Sequence, residues 1–127
     1  MKIAVCDDAI EVKEAAARFI SAYYKAKGII AQVVQFESNM ELIAAFRQGA
    51  FKAVFIGINN MSDVNAAWII RDRDEKCPII IMSGAGDYSL EGYRLEAFDY
   101  LLKPLDASKI NKALDRLISA GSRIKSI

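Results

Sequence analysis

The chain has 127 residues, 54% of them hydrophobic and 26% charged, a balance that fits one globular domain and excludes a disordered or fibrous polymer. Seventeen basic residues against sixteen acidic ones leave a net charge of +1, so no bulk field draws the protein to nucleic acid or anionic lipid. Histidine is absent, which removes the commonest general base and transition-metal ligand, and with them the histidine-dependent hydrolases and zinc enzymes.

No apolar run reaches the ~20 residues of a membrane span. Met1-Lys2 leads straight into an apolar strand with no secretory h-region, so the expectation is a cytoplasmic protein with no membrane partner. Cys6 and Cys77 are spaced neither as a metal knuckle nor as a redox pair and read as reduced thiols in or near the core.

The first strand is Lys2 to Cys6, ending in Asp7-Asp8. Asp8 and Glu11 have the spacing of a capping box, and helix formers follow to Lys27, with Val12, Ala16, Phe19 and Tyr23 on one stripe and Gly28 as the stop. Ile30 to Phe36 is a second strand, its Gln32 and Gln35 placing it toward an edge. Ser38 and Glu41 repeat the capping spacing before a short helix that Gly49 ends, with Leu42, Ile43 and Phe46 inward. The apolar run from Ala53 through Gly57 and Ile58 is a buried strand that opens into the polar loop Asn59-Asn60-Met61-Ser62-Asp63. Ser62 or Asp63 then caps a third helix with Val64, Ala67, Trp68 and Arg71 on one face, where Trp68 reads as packing.

Pro78 to Met82 is the fourth strand, followed by the turn Ser83-Gly84-Ala85-Gly86 and a weak helix from Asp87 to Leu95 that contains Gly92. Phe98 to Leu102 is the fifth strand, stopped by Lys103-Pro104, and Asp106 caps a last helix with Ile110, Ala113, Leu114 and Leu117 inward. The domain is expected over 1–120, with 121–127 a tail or truncated linker. Five βα alternations imply a flavodoxin-like doubly wound (βα)5 sandwich, its five-stranded parallel sheet in the order 2-1-3-4-5. In that order the carboxyl ends of the first and third strands flank one crevice. Asp7, Asp8, Gly57, Ser83 and Lys103 fall on its rim.

Two adjacent carboxylates repel unless a metal or a lysine intervenes, and hard oxygen donors suit Mg²⁺ or Ca²⁺. The acidic pair, Ser83, and the run Ala97-Phe98-Asp99-Tyr100-Leu101-Leu102-Lys103-Pro104-Leu105 resemble the receiver domains of two-component response regulators, closest to those of LytTR-type regulators. The resemblance implies that Asp7, Asp8 and the backbone carbonyl of Asn59 match the Mg²⁺ ligands. Ser83 and Lys103 match the phosphoryl-binding hydroxyl and ammonium, and Tyr100 the switch aromatic. It implies a sensor kinase or another signalling protein as partner and no enzymatic activity.

The phosphoacceptor does not carry over, because its position is Gly57 and glycine has no side chain to act as nucleophile. The following loop also departs from the family, lacking the usual Pro and Gly. Two carboxylates against one lysine imply weak or vestigial Mg²⁺ binding. The main expectation is an atypical receiver that signals through protein contacts. A receiver phosphorylated on a displaced carboxylate such as Asp63, or a small-ligand sensor opened by Gly57, are the alternatives. Tyr88, Tyr93 and Arg94, with Tyr100 beside them, are candidates for a partner surface, and the resemblance implies that the face of the fourth helix, fifth strand and last helix is the preferred dimer or effector site. The basic residues from Lys103 to Lys125 are spread as on a solvated face, so no nucleic acid is expected through this domain.

Overall fold

A computed structural model describes residues 1–84 and 86–125 of the chain. Five parallel strands, β1 (Lys2–Cys6), β2 (Gln32–Phe36), β3 (Ala53–Gly57), β4 (Ile79–Ser83) and β5 (Asp99–Leu102), form one sheet in the order β2-β1-β3-β4-β5. Strands covered on both faces must be apolar throughout, and β3 and β4 are buried at every position. The glutamines of β2 are exposed, in keeping with its place at the edge.

The pleat sorts the side chains into two cores. Ile3, Val5, Phe55, Ile80 and Met82 face α1 (Ile10–Ala26) and α5 (Ala107–Lys125), where they meet Ala16, Ile20, Tyr23, Ile110 and Leu114. Ala4, Cys6, Val54, Ile56 and Ile81 face the other layer, α2 (Asn39–Ala45), α3 (Met61–Arg73) and α4 (Ser89–Arg94). There they meet Leu42, Phe46, Val64, Ala67, Ile70 and Leu95. The Tyr23 hydroxyl donates to Asp115 Oδ1 at 2.5 Å and ties α1 to α5. Burial and this carboxylate push the phenol above its ordinary range.

Several helix ends differ from expectation for local reasons. Asp8 does not cap α1: the cap is Ala9, whose N–H donates to Asp7 Oδ1 at 2.9 Å. α3 starts two or three residues earlier than Ser62 or Asp63 would have it, capped by Asn60 Oδ1, which accepts from the Asp63 N–H. Ser38 caps α2 as the spacing implies, accepting from the Glu41 N–H, but that helix ends at Ala45, before Gly49. Asp106 Oδ1 accepts from the Lys109 N–H at the start of α5, as expected. α5 continues past Ser119 to Lys125, so 121–125 extends that helix, and Ser126 and Ile127 lie outside the described residues. A 3-10 turn at Gly86–Tyr88 leads into the short α4, and Ala85 of the expected turn also lies outside them.

Candidate functional site

The strand register brings the marked residues together. Cys6 pairs with Ile56, so Asp7 follows beside Gly57, which itself pairs with Met82. Ser83 pairs with Leu102, and the Lys103 N–H donates to the Ser83 carbonyl at 2.8 Å. Lys103, in a cis peptide with Pro104, reaches back across the strand ends until its Nζ lies 2.8 Å from Asp7 Oδ2. The Asp7 side chain is fully buried and that of Lys103 is 15% exposed. Oδ2 is met as one half of an ion pair, without a directed hydrogen bond.

Gly57 makes this arrangement possible. A Cβ at that position would lie 2.1 Å from Asp7 Oδ2 and 2.3 Å from Asp7 Cγ. The space at the end of β3 is therefore filled by a carboxylate from β1.

Asn59 completes the site with its side chain. Its Nδ2 donates to Asp8 Oδ1 at 2.9 Å and lies 3.5 Å from Asp7 Oδ1, while its Oδ1 accepts from Lys103 Nζ at 3.1 Å. The Asn59 N–H donates to Asp63 Oδ2 at 2.8 Å, and its carbonyl accepts from the Tyr88 hydroxyl at 3.4 Å. Asp63 is 7% exposed, and its other oxygen accepts from Asn39 Nδ2 at 2.7 Å. Both oxygens of Asp63 are thus turned into the β3–α3 loop and the start of α2. Cys6 lies beneath, its Sγ 3.5 Å from Asn39 Oδ1. Burial, then the negative charges of Asp7 and Asp63, push its thiol up to about 11, against the opposing pull of Lys13.

Ser83 is buried at the end of β4, and Tyr100 is half-buried on β5 against the α4 layer; both are engaged within the chain. A Cβ at Gly92 would come within 3.3 Å of the Tyr100 ring, so the glycine lets α4 lie close to it. An open recess of about 750 Å³, lined by Met40, Ile43, Phe46, Arg47 and Arg73, shares no residue with the strand ends.

The donor set suits a divalent ion by type but not by arrangement. Both Asp7 oxygens are engaged, and the Asn59 N–H groups, which no cation tolerates as ligands, face the acidic pair. No cluster of three or more His, Cys, Asp or Glu that would hold a metal occurs among the described residues. As it stands, the site does not fit Mg²⁺. The side-chain roles of Asn59 and Asn39 escaped the sequence reading, because their partners lie 24 to 52 residues away and leave no local spacing.

The doubly wound sheet of flavodoxin-like order thus carries an acidic pair after β1, a buried hydroxyl at the end of β4 and a lysine after β5. The chain belongs to the response regulator receiver domain family, whose model matches residues 3–115. It is 29% identical over 90 residues to protein MrkE of Klebsiella pneumoniae, covering 69% of this chain and 34% of MrkE. It is also 29% identical over 87 residues to the transcriptional regulatory protein YpdB of Escherichia coli K12, covering 67% of this chain and 36% of YpdB. The crystal structure of the response regulatory domain of MrkE superposes with a TM-score of 0.81 at 25% identity, covering 97% of this chain and 99% of that domain. The chain spans about a third of the length of these curated relatives. Among the described residues no helix is long and apolar enough to cross a membrane.

Proposed function

We propose that this domain is an atypical receiver of a cytoplasmic two-component response regulator, with Gly57 at the phosphoacceptor position, and that it signals through protein contacts. The observation that carries this reading is the end of β3, where the space a side chain at 57 would take holds the Asp7 carboxylate, paired to Lys103. Lys103 offsets Asp7 from inside the chain, so only the Asp8 charge is left without a cationic partner, and a neutral amide meets it. Mg²⁺ then binds more weakly than at a site of three carboxylates. The likeness to YpdB and the motif from Ala97 to Leu105 support a LytTR-type regulator.

Partners of this reading are a sensor kinase or another signalling protein, and a second copy of the domain. The face of α4, β5 and α5 supports the latter, since Leu90, Tyr93 and Leu102 are exposed there, Tyr93 by 82%. Nothing favours Asp63 as a displaced acceptor, because it is buried and both of its oxygens already accept hydrogen bonds. A small ligand at Gly57 is disfavoured by the Asp7 carboxylate that fills the gap.

The test is intact-mass measurement after incubation with Mg²⁺ and a small-molecule phosphodonor, alongside an ordinary receiver as positive control. The expected result is no adduct on this chain. A base-labile phosphoryl group mapped to Asp63 or another carboxylate would overturn the reading.

A further inference from the structure

We infer that the Asn59 side chain is an internal ligand of the strand-end site, occupying the position from which a cation would bridge the acidic pair and tying that pair to Lys103. The inference rests on the proposed reading of Gly57 and names the residue that decides whether the site takes a divalent ion. Adjacent carboxylates at a strand end must be offset by a cation, by a lysine or by N–H donors. Lys103 serves Asp7, and Asp8 receives the Asn59 amide at 2.9 Å. The amide is oriented by its surroundings, nitrogen toward the two aspartates and oxygen toward the ammonium. The flipped amide would set its oxygen against a carboxylate and its N–H against an ammonium.

The amide is also held in advance. Asp63 takes the Asn59 N–H and is itself fixed by Asn39, so the loop delivers the side chain from a rigid base. On the other side the Asn59 carbonyl meets Tyr88 at the entry to α4. Every polar group of Asn59 is thereby engaged, and the residue links the acidic pair, Lys103, α2 and the α4 entry.

Residue 59 follows as a specificity determinant. Asn59→Asp keeps the shape but turns the donor into a third carboxylate, leaving three negative charges against one ammonium, a set that calls for a hard divalent ion. Asn59→Ala opens the position without adding charge. Mn²⁺ and Mg²⁺ titrations of the 127-residue chain and both variants, followed by calorimetry and by thermal melts with and without chelator, test this. Affinity should rise about three-fold in Asn59→Ala and at least about ten-fold in Asn59→Asp, and only the latter should need the ion for full thermal stability. The inference is overturned if the starting protein binds the ions as tightly as either variant, or if Asn59→Ala shows no gain where Asn59→Asp fails to fold. A phosphoryl adduct on the starting protein would instead sink the reading of Gly57, and the titrations would still judge the amide separately.

Discussion

Replacing Gly57 by alanine would put a methyl carbon 2.1 Å from Asp7 Oδ2, so the carboxylate would have to leave and the pair with Lys103 would break. Gly57→Ala should therefore lower stability in urea denaturation by about 1–3 kcal/mol. Lys103→Met should lose less in the Gly57→Ala background than alone, because the coupling it removes is already gone. Gly57→Asp should displace Asp7 from Lys103 and raise Mg²⁺ affinity above that of the starting protein. If calorimetry finds no gain even when Gly57→Asp is combined with Asn59→Ala, Asp7 and Asp8 are not a metal pair. The glycine, the two aspartates and the lysine could be marked from strand ends alone, since each follows an apolar run. That Asp7 would fold into the gap left by Gly57, and that Asn59 would close over it, depends on side-chain packing between strands far apart in sequence.

The elements are punctuated by buried polar groups, and the clearest is the junction of α3 with β4. Asp74 is buried there and accepts from the N–H groups of Gly49, Lys76 and Cys77, while Arg71 donates to the carbonyls of Asp74, Glu75, Cys77, Leu95 and Glu96. Burial raises the Asp74 carboxyl, but the three N–H donors and Arg71 outweigh it and hold the group below its ordinary 3.8. A depressed folded value adds stability above the unfolded value, and that stability is lost as pH falls through the folded one. Asp74→Asn should thus cost about 1–3 kcal/mol at neutral pH and less in acid below 3.8. Denaturant midpoints against pH check this, and a difference independent of pH would refute it.

Strand order and the two-faced sheet could be read from five apolar runs alternating with helical stripes. The helix starts were harder. Asp8 and Asp63 both have cap-like spacing, yet α1 starts after Ala9 without a side-chain cap and Asn60 caps α3. α5 outruns the expected stop at Ser119, its Leu117 still in the core, despite the propensity lost at Gly121.

For the molecule as a whole, two buried thiols report on rigidity, and both belong to the core beneath α2, α3 and α4. Cys6 and Cys77 are 3% and 4% exposed, and burial is the leading cause that pushes each up to about 11, joined at Cys77 by the charge of Asp74. Neither should react with a thiol reagent while folded. Their labelling should follow the global opening seen in hydrogen exchange. Fast modification of Cys6 alone would mean that the strand-end loop opens independently. Self-association belongs to the same scale: if α4, β5 and α5 form a dimer face, Tyr93→Ser together with Leu102→Ser should shift sedimentation toward monomer. Unchanged sedimentation would count against that face.

Trp68, the chain's single tryptophan, is 36% exposed in a cleft it shares with Arg94, Leu95 and Glu96 at the end of α4. Its indole is consequently a native optical probe of the seam between α3 and α4. Intrinsic emission, without any introduced dye, would register whether an event among the aspartates is transmitted to the opposite end of α4 or stops at Tyr88.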